Sequence, residues 1–207
     1  MAVKFGGLKG MFGRIVGGGS LFLVEYTNEG SEDGYISMTP DYPGVIVPID
    51  MRQYEEVYAV RDSYLCSLSF ETGVDTNVSA GMNPTSSPWA CCFSGVGFIV
   101  QSLKQGDYSF LQAQGTVIIK TLVEGEEILV DTKSILAFET SIKLDVRKVG
   151  GFAAMCCAGE GAFNTVLTGP GKIWMQSMSI DKLRSVFPPR VVQQGGGGDG
   201  GDGGGGD

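Results

Sequence analysis

Cysteine is the first place to look for chemistry, because Cys91-Cys92 and Cys156-Cys157 are adjacent pairs and Cys66 stands alone. Four thiolates from two converging loops would be enough for tetrahedral zinc. Adjacent side chains on extended backbone diverge, however, so Cys-Cys is a poor chelate beside Cys-x-x-Cys. The simplest role for the pairs is small apolar filling beside Phe93 and Met155; metal or redox chemistry and S-acylation are the alternatives. Five cysteines in a chain without a secretory signal point to reduced thiols in an intracellular compartment.

The chain contains no histidine, which removes a Ser-His-Asp triad, a Cys-His pair and every His-bearing zinc site. Two acidic doublets, Glu55-Glu56 and Glu126-Glu127, resemble paired acid and base carboxylates. Neighbours on a strand face opposite sides, so neither doublet can converge, and solvated turns are expected. Ser63 and Ser134 have no base nearby in sequence, which leaves a nucleophilic role unsupported. Gly17-Gly18-Gly19-Ser20 lacks the Lys-Ser/Thr and the following helix of a phosphate loop. No catalytic, metal-binding or cofactor-binding residue follows from these motifs.

The elements behind these residues recur along the chain. Gly17 to Val24, Gly95 to Val100 and Gly159 to Phe163 each run from a glycine turn into an apolar strand. Each is followed by a second short strand: Tyr35–Met38, Tyr108–Leu111 and Lys172–Met175. Residues 44–65 also align without a gap on 115–136, sharing Gly44/Gly115, both glutamates of each doublet, Ser63/Ser134 and Leu65/Leu136. The period predicts an all-β fold of three pseudo-symmetric lobes, about 1–43, 44–114 and 115–178, with the first lobe incomplete. A helical turn is expected only around Ile180–Val186, ended by Pro188-Pro189. A single domain over 1–190 is expected to precede a disordered Gly/Asp-rich tail at 191–207.

Of the 33 glycines, ten fall in the last thirteen residues with three aspartates, a composition that cannot bury a core. Without that stretch the net charge moves from −8 to −5, still acidic, which argues against nucleic acid as a partner. No apolar run is long enough for a membrane-spanning helix.

The closing block Gly159-Glu160-Gly161 with Leu167-Thr168-Gly169-Pro170-Gly171-Lys172-Ile173-Trp174-Met175-Gln176-Ser177 resembles the altered-inheritance-of-mitochondria protein 24 family. So do the Gly6–Lys9 to Leu23 block and the stretch from Val130 to Gly151. The resemblance implies a tryptophan RNA-binding attenuator protein-like fold of three similar lobes, and a link to mitochondrial organisation in its yeast member. It supplies no catalytic residues. The chain departs from the pattern in lacking the first strands of lobe one, which would leave a sheet edge open, and in its cysteine pairs.

Three segments preceding the repeated strands are apolar: Met11-Phe12, Trp89 to Phe93 with Cys91 and Cys92, and Phe152 to Cys157 with Met155 and Cys156. Pseudo-symmetry gathers them at one end of the molecule. Exposed, they would form an interaction patch for a membrane surface or a protein partner; turned inward, they would plug the end of the barrel. Lys4, Lys9 and Arg14 beside the first segment suit anionic lipid. The expectation is a non-enzymatic scaffold or membrane-peripheral binding protein without a cofactor. The alternatives are a small-ligand or RNA-binding module and a thiol or metal protein using the Cys pairs. Self-association is allowed, and the compartment expected is cytoplasmic, with mitochondrial as the alternative.

Overall fold

Short runs of β-branched and aromatic residues, broken by Gly, Pro and Asp, favour strands joined by tight turns. The structure, a computed structural model, describes residues 2–4, 23–60, 62–70, 77–82, 99–148, 163–179, 182–183 and 186–187. Its strands are β1 (Ala2–Lys4), β2 (Leu23–Glu25), β3 (Val45–Asp50), β4 (Glu56–Ala59), β5 (Tyr64–Leu68), β6 (Asn77–Met82) and β7 (Ile99–Lys104). They continue as β8 (Tyr108–Leu122), β9 (Glu127–Val130), β10 (Ile135–Glu139), β11 (Lys143–Lys148), β12 (Phe163–Thr168) and β13 (Gly171–Met178). Single 3-10 turns, Met51–Gln53 and Thr132–Ser134, precede β4 and β10. The fold is all-β. Near the C-terminus Leu183 N–H donates to Ser179 O and Phe187 N–H to Leu183 O, which are helical i→i−4 bonds in the stretch expected to turn.

All ladders are antiparallel, and one order of pairing occurs twice. Residues 108–113 of β8 lie between β3 and β5, while β7 lies between β4 and β6. Further along the chain, β13 lies between the second half of β8 and β10, while β12 lies between β9 and β11. β4 and β9 occupy 56–59 and 127–130, and β5 and β10 occupy 64–68 and 135–139, the spacing at which their sequences align. Ser63 N–H bonds Val60 O and Ser134 N–H bonds Asp131 O, so the two aligned serines close the same turn. One ladder joins the two sets: β10 on β4, with Ala137↔Ala59, Phe138↔Tyr58 and Glu139↔Val57 in register.

β8 serves both sets, and it passes from one to the other beside Gly115, where φ is +71°. Pro48 lies within β3, which ends the sheet order, and an edge strand tolerates a missing N–H.

Two apolar clusters form the core. One gathers Val47, Ile49, Met51, Val57, Leu103, Leu111 and Trp174, the other Val100, Leu122, Phe138, Ile142, Leu144 and Ile173. Burying each such side chain contributes about 1.5–3 kcal/mol. The sequence alternates Ile142, Leu144 and Val146 with polar residues, as a strand with one buried face does; along β11 and its lead-in Ile142 and Leu144 are fully buried and Val146 is half-buried.

Tyr35–Met38 departs from expectation. The stretch is not a strand, and Tyr35 is 96% exposed. Among the described residues no strand lies beside it, so its β-propensity has no ladder to satisfy. Just beyond it the chain is pinned: Asp41 N–H donates to Gln112 Oε1 at 3.0 Å. Buried Gln176 holds Gln114 N–H in the same way at 3.1 Å. These two glutamines, on β8 and β13, hold backbone N–H groups of the segment before β3 and of mid-β8.

Candidate functional site

The ten residues singled out for interaction, Met11, Phe12, Trp89, Cys91, Cys92, Phe93, Phe152, Met155, Cys156 and Cys157, lie outside the described residues. The strands on either side of them fix how their segments leave the fold. β1 pairs with β2, ending on Lys4↔Leu23; β6 pairs with β7, ending on Met82↔Ile99; β11 pairs with β12, ending on Lys148↔Phe163. Each apolar segment therefore connects two residues that face each other across an antiparallel ladder. All three are hairpin connections, and β6–β7 and β11–β12 hold corresponding places in the two pairing sets.

The acidic doublets do not converge. Glu126 accepts from Lys120 Nζ at 2.7 Å and from Val123 N–H at 3.0 Å, closing the turn before β9. Its neighbour Glu127 takes Arg147 at 2.7 Å instead. Glu56 sits opposite Lys104 in the β4–β7 ladder, 3.2 Å from its Nζ, and accepts from Ser102 Oγ. The Lys120 bond and the turn hydrogen bond hold the Glu126 carboxyl below the usual carboxylate range. Glu56, Glu126 and Glu127 are thus each neutralised by a different cation.

Ser63 Oγ donates to Val60 O at 2.7 Å, within its own turn. Cys66 on β5 is half-buried, and burial pushes its thiol up, away from the thiolate that nucleophilic chemistry requires. Among the described residues no three His, Cys, Asp or Glu side chains come together as a metal site. The described residues also contain no helix long and apolar enough to cross a membrane, a statement silent on strands.

Two polar clusters were not evident in the sequence. Arg52 bonds Asp50 at 2.7 Å and Tyr108 Oη at 2.6 Å, with its guanidinium 4.9 Å from the Tyr108 ring. The Arg52 hydrogen bond lowers the Asp50 carboxyl from 3.8 to about 2. Lys172 Nζ donates to Tyr54 Oη at 2.6 Å and lies 5.8 Å from the Trp174 ring. Lys172 and Trp174 alternate on one strand face, a visible signal; Tyr54 reaches them only through the β4–β10–β13 neighbourhood. The clusters brace half-buried Tyr108 and Tyr54 and buried Trp174.

Comparison with known proteins now decides the lineage. A family model described as Mitochondrial biogenesis AIM24 matches residues 1–178. The chain belongs to the AIM24 family. Within the wider set of proteins similar to this AIM24 member is an uncharacterized protein of Streptococcus pyogenes serotype M6. It is 26% identical over 178 residues, which is 86% of this chain and 67% of the relative. An X-ray crystal structure of a Streptococcus pyogenes protein matches with a TM-score of 0.53 at 17% identity, over 72% of this chain. The chain spans 61% of that solved protein's length, and likeness at this identity shows the fold alone.

Proposed function

We propose that this AIM24-family chain is a non-enzymatic scaffold that binds a membrane surface peripherally through three hairpin ends. Three pseudo-symmetric lobes of the attenuator-protein type, the first incomplete, would bring those ends to one side. The observation that carries the reading is the shared origin of the apolar segments: each joins register partners at the end of a ladder. Apolar residues exposed at a hairpin end need another surface to cover them. Phe12, Trp89 and Phe152 are the aromatic anchors on this reading, and Lys4, Lys9 and Arg14 meet anionic headgroups.

The ion-paired doublets and the engaged Ser63 support a role without catalysis. The compartment that goes with reduced cysteines and this role is the cytoplasmic face of a membrane. Flotation with phosphatidylcholine–phosphatidylserine vesicles tests the proposal. The full chain should float, and the triple substitution Phe12→Ser/Trp89→Ser/Phe152→Ser should stay in the dense fraction with an unchanged far-UV spectrum. Full-length protein remaining wholly in the dense fraction would sink it.

A further inference from the structure

The two pairing sets are joined by a single ladder, and the same kinds of edge are left over at both ends. Inside the chain, β10 of the second set pairs with β4 of the first, three register pairs long, and Val60 N–H adds a bond to Leu136 O at 2.9 Å. The strand that corresponds to β10 in the first set is β5, and the strand that corresponds to β4 in the second is β9. Among the described residues, β5 pairs only with β8 and β9 only with β12, so each shows one strand edge without a described partner. Both edges carry apolar side chains: Leu68 is 42% exposed and Leu129 53%. Such edges recruit strands.

We propose that two copies of this chain associate through these edges, β5 of each on β9 of the other. The internal β4–β10 ladder supplies the template. Shifted to the corresponding strands, its register gives Cys66↔Val130, Ser67↔Leu129 and Leu68↔Ile128 between copies. The Val60–Leu136 bond becomes Asp131 N–H to Leu65 O. One chain thus carries both halves of a junction that it already forms once, continuing the established β4–β10 interface. A twofold axis uses both of these edges in both copies. The inference is independent of membrane binding, since neither edge includes the hairpin ends.

Val130→Cys tests the register directly, because its direct partner across the junction is the native thiol of Cys66. Antiparallel partners stand about 4.5–5.5 Å apart at Cα, within disulfide reach. Mild copper–phenanthroline oxidation removes two electrons and two protons from the thiol pair and links the copies. The expected results are a dimer of the full-length chain in sedimentation and a cross-linked band for Val130→Cys. That band should fall to the wild-type background in Val130→Cys/Cys66→Ser. Leu129→Lys, at an exposed position, should give a folded monomer; if it fails to fold, the cross-link alone decides. A wild-type monomer, as when another segment covers the edges, overturns the proposal. So does an open series of larger species, a cross-link indifferent to Cys66→Ser, or a dimer that survives Leu129→Lys.

Discussion

Gly115→Ala is expected to destabilise the fold by about 3–5 kcal/mol, the sum of a positive-φ cost and an overpacking cost. Gly115 sits where β8 passes from the first pairing set to the second, with φ at +71°. A β-carbon there would overlap Ser177 Oγ and lie 3.3 Å from Met178 Cβ on neighbouring β13. Ser177 cannot simply turn away, because its Oγ accepts Thr116 N–H at 2.9 Å. Gly125 separates the two costs. Its φ is +76°, yet an added Cβ would meet nothing within 4 Å. Gly125→Ala should therefore cost only the backbone component, about 1–2 kcal/mol. Urea unfolding of both variants measures the difference; equal losses would show that the β8–β13 contact does not constrain position 115.

Phe138→Ala should be as damaging, at about 3–5 kcal/mol for a fully enclosed aromatic ring. Phe138 is fully buried on β10, between Tyr58 of β4 and Ile173 of β13. Its ring meets the Tyr58 ring edge-on at 5.8 Å between centroids. The β4–β10 ladder is the only described ladder between the two pairing sets, so the cavity falls at their junction. Against a typical total stability of about 5–15 kcal/mol, such a loss approaches unfolding. Ile119→Ala, on a side chain 56% exposed, should stay within about 0.5 kcal/mol. A urea midpoint for Phe138→Ala close to that of Ile119→Ala would refute the placement of the junction core.

Much of this architecture could be read from residue spacing. The offset of 71 in the gapless alignment of 44–65 on 115–136 is also the offset between β4 and β9 and between β5 and β10. Its identical serines close the same turn in both places. Alternation gave the buried face at Ile142 and Leu144, because a half-buried strand writes its environment into every second residue. Tyr35–Met38 shows the limit of that logic. Its residues suit a strand, but a strand needs a neighbour, and pairing is a long-range property that four residues do not encode.

At the candidate site the doublets do not converge, but Glu56 and Glu127 open β4 and β9 and are ion-paired rather than lying in solvated turns. Gln112 and Gln176 escaped notice, since a buried glutamine reveals its worth only through the backbone N–H it holds, at Asp41 and Gln114. The local pairs Asp50/Arg52 and Lys172/Trp174 each take a tyrosine far away in sequence, Tyr108 and Tyr54, and nothing local announces those partners. The AIM24 lineage was legible from glycine-rich blocks, whereas the three hairpin stems became evident only from register.

The central claim, that the apolar hairpin ends enter a membrane surface, is tested most directly by the chain's two tryptophans. Trp174 is buried at 3% exposure within the β-core, whereas Trp89 belongs to the β6–β7 connection. Vesicles of phosphatidylserine and brominated phosphatidylcholine quench only indoles that reach the acyl region. The account predicts that quenching is present in the wild-type protein, unchanged in Trp174→Phe and abolished in Trp89→Phe. Fluorescence untouched by brominated lipid, or quenching that persists in Trp89→Phe, would contradict it.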